Sequence, residues 1–195
     1  MATVYVIGGP PGSGKDHISE ILTNVVPEVT FVSTGKLKRL EEELNTPLAF
    51  EANRDKDDRK VTLWADHFIT PLVKKFLVEN LNKASKFLLN GFPRTIGQAQ
   101  ELVNILGQDG HEIVLIRLET RSELCQARIV QRSAEGRADD QDMEEVQKRI
   151  RDYREITVPA LEWIGNVPGV KVFYFTNDQD TTNKKITDFL KEVVV

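Results

Sequence analysis

The sequence has little cysteine, few aromatic residues and no long apolar run. One cysteine, Cys125, among 195 residues excludes a disulfide within the chain, and we expect a reducing, cytoplasmic setting. No apolar run is long enough to cross a bilayer, which predicts no membrane span. The amino terminus lacks a basic segment followed by an apolar one, so no signal peptide is expected.

Positive charge is also scarce. The sequence has 26 Lys and Arg residues against 30 Asp and Glu residues, for a formal net charge of −4. This balance argues against a nucleic-acid polymer or an anionic membrane as the main partner. An apolar content of 40% in 195 residues suits one globular domain with small inserts, spanning 1–195, which we expect to act as a monomer.

A glycine-rich loop lies between a strand pattern at 3–7 and a helix pattern that opens at about Asp16. The loop consists of Gly9, Pro10, Pro11, Gly12, Ser13, Gly14 and Lys15. Glycines let backbone N–H groups surround an anion, and the helix points its positive end at the same place. Lys15 supplies a cation for the outer phosphates, so the loop predicts a nucleoside triphosphate site. Asp16 and His17 follow it, in place of the usual Ser or Thr that meets magnesium.

Strand and helix patterns alternate along the rest of the chain. We predict strands at 3–7, 29–32, 86–90, 113–118 and 170–175, and helices near 16–25, 37–44, 61–81, 96–106, 124–130, from 142, and 186–193. Residues 45–60 suggest an irregular, solvent-facing stretch, and Pro71 a bend or break. The strands lack strict polar alternation, which predicts a parallel α/β sandwich with both sheet faces covered. The phosphate loop, the turn at 33–35 and the segment at 91–94 all follow strands, so they should meet at one edge of the sheet.

Several segments together resemble the adenylate kinase family. They are the phosphate loop, residues 33–39, Gly91-Phe92-Pro93-Arg94 with Gln98, and the set Arg128, Arg132, Gly136, Arg137, Asp139, Asp140 and Arg149. The resemblance implies a P-loop NTPase-like three-layer sandwich with a five-stranded parallel sheet, a monophosphate-binding flap at 34–64 and a lid at 131–141. Only a few residues separate Arg132 from Arg137 in the sequence, and there is no cysteine cluster. In both respects the chain resembles the short-lid members of the family. The implied reaction is magnesium-dependent phosphoryl transfer between ATP and a nucleoside monophosphate.

The resemblance also implies a role for individual residues. ATP would be bound by Gly9, Pro10, Pro11, Gly12, Ser13, Gly14, Lys15, Asp16, His17 and Arg128. The monophosphate would be bound by Thr34, Gly35, Arg39, Trp64, Gly91, Phe92, Arg94 and Gln98, with Gln98 on an adenine. The catalytic cations would be Lys15, Arg94, Arg132, Arg137 and Arg149. Asp139 and Asp140 would tie the lid to the core.

Elementary electrostatics favours an arginine-rich site for this reaction. Two polyanions approach each other only when several cations surround them, and arginine matches phosphate geometry best. A mobile lid also excludes water that would otherwise hydrolyse ATP. We therefore assign function to Arg132 and Arg137. For Arg151 and Arg154 we favour a solvated helix face paired with Glu144, Glu145 and Asp152.

The chain departs from the family pattern at four places. Asp16 and His17 replace a Gly-Thr pair, and Asn90 replaces an aspartate that orients magnesium-bound water, so Asn90 and Asp16 are candidates to hold the metal through water. Lys36 replaces an aspartate. The sequence Val61-Thr62-Leu63-Trp64-Ala65 replaces a Gly-x-Leu-Val-Pro turn, and Trp64 either narrows the monophosphate pocket or packs in a helix core.

These departures leave three hypotheses open. The first is a kinase that acts on AMP, which Gln98 favours. The second is a kinase with a different monophosphate acceptor, because of Trp64 and Lys36. The third is a nucleotide-binding sensor with an impaired site, for which Asn90 and His17 are the evidence.

Overall fold

Parallel strands form the centre of the molecule. The computed structural model describes residues 1–59, 61–107, 110–137 and 140–194, with the backbone alone at Asp58 and Arg59. Within these residues five strands form one sheet: β1 (Thr3–Gly8), β2 (Thr30–Ser33), β3 (Lys86–Asn90), β4 (Glu112–Glu119) and β5 (Lys171–Thr176). They pair in parallel in the order β2-β3-β1-β4-β5. The predicted five-stranded parallel sheet is confirmed.

Helices connect successive strands. They are α1 (Lys15–Val25), α2 (Thr34–Glu43), α3 (Pro47–Arg59), α4 (Asp66–Asn80), α5 (Ile96–Gly107), α6 (Ser122–Ala134), α7 (Met143–Asp152), α8 (Val158–Gly165) and α9 (Asn183–Val193). One π-helical turn, Tyr153–Thr157, joins α7 to α8. Within the described ranges, no helix combines the length and the apolar character that crossing a membrane requires.

The core lies on both faces of the sheet. Successive strand residues point to opposite faces, so Val4 and Val6 pack into one apolar cluster and Tyr5 and Ile7 into the other. The first cluster includes residues of α4, α5 and α8, and the second includes residues of α1 and α9. Helices thus cover both faces, as the absence of polar alternation in the strands predicts. This three-layer α/β sandwich is the predicted P-loop NTPase-like fold.

The prediction of an irregular stretch at 45–60 is wrong, because α3 occupies Pro47–Arg59. The hydroxyl of Thr46 accepts the N–H of Ala49 at 3.1 Å, and proline is well suited to the first helical position. Ala49 and Ala52 are buried on the core side. Because Ala49 and Ala52 are small and stand in a charged stretch, the hydrophobic periodicity of this segment was too weak to predict a helix. Similarly, the predicted turn at 33–35 is the start of α2, where the hydroxyl of Ser33 caps the helix by accepting the N–H of Lys36.

The helix predicted from Val61 begins five residues later, at Asp66, and residues 61–65 are irregular. The N–H and the hydroxyl of Thr62 both donate to Oδ2 of Asp152, at 2.7 and 2.6 Å. These bonds fix the segment against α7 instead of letting it wind into α4. Asp152 is therefore buried, and the prediction that it pairs with arginines on a solvated face is wrong. Pro71 lies inside α4 without ending it.

Candidate active site

The carboxyl ends of the strands open into one cleft of about 360 Å³. Fifteen of the residues that the resemblance assigns to binding, catalysis or the metal line it: Gly9, Pro11, Gly12, Gly14, Lys15, Asp16, His17, Gly35, Arg39, Asn90, Gly91, Arg94, Arg132, Arg137 and Arg149. The segments that follow β1, β2 and β3 therefore do meet at one edge of the sheet. Thr34, Trp64 and Gln98 line a smaller cavity of about 60 Å³ beside the cleft. Leu63 and Arg94 line both cavities, so the two adjoin.

The glycine-rich loop passes close to other parts of the backbone. Gly12 has φ of +83°, and a Cβ there would collide with the carbonyl oxygen of Cys125 on α6. Only glycine meets both requirements without strain. Asn177 secures the loop from the other side, since its Nδ2 donates to the carbonyl oxygen of Ser13 at 2.7 Å. The loop is thus fixed in shape by its neighbours before any ligand enters.

Lys15 is the first cation of the cleft. Its Nζ donates to the carbonyl oxygens of Gly9 and Pro10, at 2.7 and 2.8 Å, so the side chain folds back along the loop. Burial, together with the charge of Arg94, lowers the pKa of Lys15 to about 7. A phosphate in the loop would supply the negative charge that favours the ammonium form.

Asp16 occupies the corner where the metal site is expected. Its Oδ1 accepts a hydrogen bond from Nδ2 of Asn90 at 2.9 Å, and Oδ2 lies 3.3 Å from Nη1 of Arg137. Partial burial would raise the pKa of Asp16, but the charge of Arg137 and the bond from Asn90 bring that pKa below its usual value. The site therefore keeps an ionised carboxylate, carried by α1 rather than by β3. The side chain is 63% exposed and lines the cleft.

The opposite wall carries the residues expected to hold a monophosphate. The hydroxyl of Thr34 donates to the carbonyl oxygen of Gly91 at 2.8 Å, and Nε of Arg94 donates to the same oxygen at 2.9 Å. Arg39 faces the cleft from α2. The peptide bond between Phe92 and Pro93 is cis.

The smaller cavity is walled by Trp64 and Gln98. Trp64 is 4% exposed and donates its indole N–H to Oδ1 of Asn53 on α3 at 2.9 Å. It is therefore a core aromatic that also lines the cavity, but it lies in the irregular segment 61–65, so the expectation of a helix-core position is wrong. Lys36 instead places its ammonium 5.3 Å from the ring centroid of Phe31.

Asp140 forms ion pairs with arginines from the second half of the chain. It is fully buried, with Nη1 of Arg149 at 2.8 Å from Oδ1 and Nη2 of Arg132 at 3.0 Å from Oδ2. Nε of Arg137 lies 3.8 Å from Oδ2. One carboxylate thus holds three mutually repelling cations at the cleft. Its predicted companion, Asp139, lies outside the described residues.

Arg128 and His17, both predicted to bind ATP, contact segments of the chain that follow β5. Arg128 donates from Nη2 to the carbonyl oxygen of Asp178 at 3.3 Å, on the segment that follows β5. His17 lines the cleft, and its Nε2 lies 2.8 Å from Oδ1 of Asn183 at the start of α9. Glu144 and Glu145 pair with Lys148, and within the described part of the chain no ion pair joins them to the arginines expected from the sequence. Arg151 and Arg154 are exposed as predicted.

The sequence analysis did not identify Asn177 or the π-helical turn as parts of the site. Asn177 directly follows β5, so the rule that ligand sites lie beyond strand carboxyl ends could have identified it. Tyr153 and Thr157 of the π-helical turn also line the cleft. Such turns have no periodic signature in a sequence, although they are frequent at functional sites.

Comparison with known proteins supports the same interpretation of the cleft. The family model described as adenylate kinase matches residues 7–167. An adenylate kinase of Synechococcus sp. is 36% identical over 159 residues, covering 80% of this chain and 79% of that protein. One from Phocaeicola vulgatus is 33% identical over 163 residues, covering 83% and 84%. One from Flavobacterium psychrophilum is 32% identical over 191 residues, covering 97% and 96%.

Proposed function

Because the chain belongs to the adenylate kinase family of nucleoside monophosphate kinases, we propose that it transfers the terminal phosphoryl group of ATP reversibly to AMP, forming two molecules of ADP. One observation carries the proposal. A single cleft has the phosphate loop on one wall and Arg39 with Arg94 on the other, with Arg132, Arg137 and Arg149 also lining it. Two phosphate-bearing substrates can therefore be held together within one ring of cations.

On the ATP side, the backbone N–H groups of the loop and Lys15 would hold the phosphates. The dipole of α1 adds to this attraction, because the loop leads directly into its first turn. Arg128 would flank the adenine of ATP, near the segment after β5. Asn177 stabilises the loop through Ser13 and acts as a supporting residue.

On the monophosphate side, Arg39 and Arg94 would bind the phosphate, with Thr34 and Gly35 beside them. The adenine would enter the smaller cavity, where Gln98 would bond it and Trp64 and Phe92 would shape its surroundings. The adjoining cavities suit a phosphate on the cleft side and a base on the apolar side. The flap at 34–64 would close over this substrate.

Transfer itself depends on position and charge. The reaction passes through a loose transition state with charge on the transferring group, so catalysis consists mainly of aligning the substrates and stabilising that charge. Arg132, Arg137 and Arg149 would supply the stabilisation. In the structure Asp140 holds them in place, and the phosphates would become a further partner. Closure of the lid at 131–141 would exclude water.

The residues at the Asp16 corner fit magnesium bound through water. In phosphoryl-transfer sites Mg²⁺ usually takes one or two carboxylates, waters and the substrate phosphates. Asp16 offers an ionised carboxylate one residue after Lys15 and in contact with Asn90, and the described residues contain no cluster of three or more metal-ligating side chains. When bound, the ion would neutralise charge on the phosphates. Asp16 would thus compensate for the amide at Asn90, which would weaken the argument for an impaired sensor.

Replacing Asp16 with Ala should raise the magnesium concentration needed for half-maximal turnover by about tenfold, equivalent to about 1.4 kcal/mol. The physical reason is the loss of the carboxylate at the metal corner. Binding of Mn²⁺ to the protein–ATP complex, measured by its paramagnetic signal, should weaken in parallel. Asp16→Asn keeps the size of the side chain and should weaken Mn²⁺ binding similarly.

Glu20→Ala removes an exposed carboxylate on the same helix and serves as the control, with unchanged metal dependence. If Asp16→Ala keeps the metal dependence and Mn²⁺ affinity of the parent, the carboxylate serves only the ion pair with Arg137.

The assay that tests the function measures ADP formation from ATP with a panel of monophosphates, with and without magnesium. Turnover with AMP in the presence of magnesium is the expected result. Turnover only with another acceptor would overturn AMP as the substrate. Nucleotide binding seen by calorimetry without any turnover would favour the sensor. We propose a cytoplasmic, monomeric enzyme, which sedimentation and cell fractionation can test.

A further inference from the structure

A partly buried hydrogen-bonded bridge, formed by Asp66, Thr95 and Gln98, joins the starts of α4 and α5 beside the smaller cavity. Asp66, the first residue of α4, accepts a hydrogen bond from Nε2 of Gln98 at 2.9 Å through Oδ1. Through Oδ2 it accepts the hydroxyl of Thr95 at 2.7 Å, just before α5. Close approach requires glycine at position 97, because a Cβ there would lie 2.7 Å from Oδ2 of Asp66. The carboxylate thus occupies the space beside Gly97, and a larger residue there would displace it.

The other end of the Gln98 amide is fixed as well. Its Oε1 accepts the backbone N–H of Arg94 at 2.8 Å, and the side chain is buried. A carboxylate only accepts hydrogen bonds and a backbone N–H only donates them, so the two partners allow one orientation of the amide. Reversing the amide would set oxygen against oxygen and nitrogen against N–H. One hydrogen on Nε2 and one lone pair on Oε1 remain for a ligand in the cavity.

We propose that Asp66 is a specificity-determining positioning residue that acts through Gln98 to select an adenine over a guanine monophosphate. The inference rests on the proposed function, in which Gln98 meets the base. Adenine presents an amine donor beside a ring-nitrogen acceptor, whereas guanine has an acceptor oxygen where adenine has the amine. A fixed amide with one donor and one acceptor complements adenine. An amide free to reverse would also pair with the oxygen and N–H of guanine.

The contacts around the bridge indicate that Asp66 orients the Gln98 amide and does not only pack against it. Thr95 caps α5 by accepting the N–H of Gln98 at 3.1 Å, so the backbone of Gln98 is secured independently of its side chain. Asp66 therefore is not needed to start α5, and its bond to Nε2 serves the amide. The negative charge of Asp66 also interacts favourably with the positive end of the α4 dipole, because Asp66 lies in the first turn of that helix.

The decisive experiment compares kcat/KM for AMP with that for GMP. Asp66→Asn can donate as well as accept, so it removes one of the two contacts that fix the amide and leaves only the Arg94 N–H to oppose reversal. We expect the AMP-to-GMP ratio to fall about tenfold, because a well-aligned pair of hydrogen bonds to a base gives discrimination of this order. Most of the change should appear in KM for the monophosphate, with the KM for ATP unaffected. Calorimetric affinities for AMP and GMP should shift by the same ratio.

Gly97→Ala provides a second route to the same result. The added methyl group pushes Asp66 away from Gln98 without removing any hydrogen-bonding group. Alanine also favours the helix more than glycine does, which supports folding of this variant. The AMP-to-GMP ratio should fall as it does in Asp66→Asn. Thr182→Val is the structural control: it removes the hydroxyl that caps α9 and should lower the melting temperature while leaving the ratio unchanged.

A mutant cycle separates positioning from general effects. In a Gln98→Ala background, Asp66→Asn should not change the ratio further, because the group through which it acts is gone. An unchanged ratio in both Asp66→Asn and Gly97→Ala would overturn the inference while leaving AMP turnover of the parent intact. If the parent itself shows no preference for AMP over GMP, the proposed acceptor is wrong, and the inference fails with it.

Discussion

Replacing Lys15 with Met should lower turnover about a thousandfold, because a preorganised donor to the developing charge is commonly worth a factor of this size. Lys15 lies at the start of α1, where its ammonium already bonds to the Gly9 and Pro10 carbonyl oxygens. Met preserves the length and apolar stem of the side chain, and relief from burying a charge should keep the fold stable. The measurement is kcat with saturating ATP and AMP.

Lys74→Met is the matched control, since Lys74 pairs with Glu101 on the surface of α4, outside the residues that line the cleft. Its turnover should equal that of the parent. Turnover of Lys15→Met within about threefold of the parent would contradict the assignment, because even one good phosphate contact is worth more than that.

The lowered pKa of Lys15 allows a second, independent test of its contact with the phosphates, namely the number of protons taken up when ATP binds. With a pKa of about 7, the side chain is mostly neutral at pH 8 before nucleotide binds. Phosphates favour the ammonium form, so ATP binding at pH 8 should take up about one proton more in the parent than in Lys15→Met. At pH 6 the side chain is already protonated and the difference should vanish. Calorimetry in buffers of different ionisation enthalpy measures it, and equal uptake by both proteins at pH 8 would contradict the lowered pKa.

Removing the buried carboxylate at Asp140 should produce the second large effect. In Asp140→Ala, Arg132, Arg137 and Arg149 lose their shared counter-charge and repel one another. Loss of one partner from a buried pair costs about 3–5 kcal/mol. The three guanidinium side chains are 22–31% exposed, so solvent screening reduces our expectation to about 2–4 kcal/mol. For a chain of this size the melting temperature should fall by roughly 5–15 °C.

Turnover should also fall, by about a hundredfold or more, because the arginines no longer converge on the cleft. Asp140→Asn keeps the shape without the charge and should lie between the parent and Asp140→Ala. Glu144→Ala removes an 80% exposed carboxylate of α7 and should change stability by less than about 0.5 kcal/mol. Thermal unfolding and kinetics measure both effects. A melting temperature of Asp140→Ala equal to that of Glu144→Ala would show that Asp140 does not hold the arginines.

Much of the cleft could be predicted because its parts are short and local. The phosphate loop is a strand, a turn and a helix start in sequence, and the residues after β2 and β3 follow the same rule. The family resemblance then gave the partners of Lys15 and the lid arginines their expected roles. The segment proposed as the flap was predicted least well, because the buried residues among the described side chains of α3 are the small Ala49 and Ala52, and the segment at 61–65 is irregular. Neither leaves a strong periodic pattern.

The sequence by itself determined the parallel α/β sheet and the phosphate loop, because these follow from hydrophobic periodicity and from glycines at fixed spacing, whereas the expected monophosphate side came from the family resemblance. Only the tertiary structure decided the polar contacts between distant segments. Asp16 meets Asn90, Thr62 meets Asp152, and Asp66 meets Gln98 across separations of 74, 90 and 32 residues. The physical reason is that such bonds depend on how whole helices pack, and a side chain carries no local pattern that names its partner.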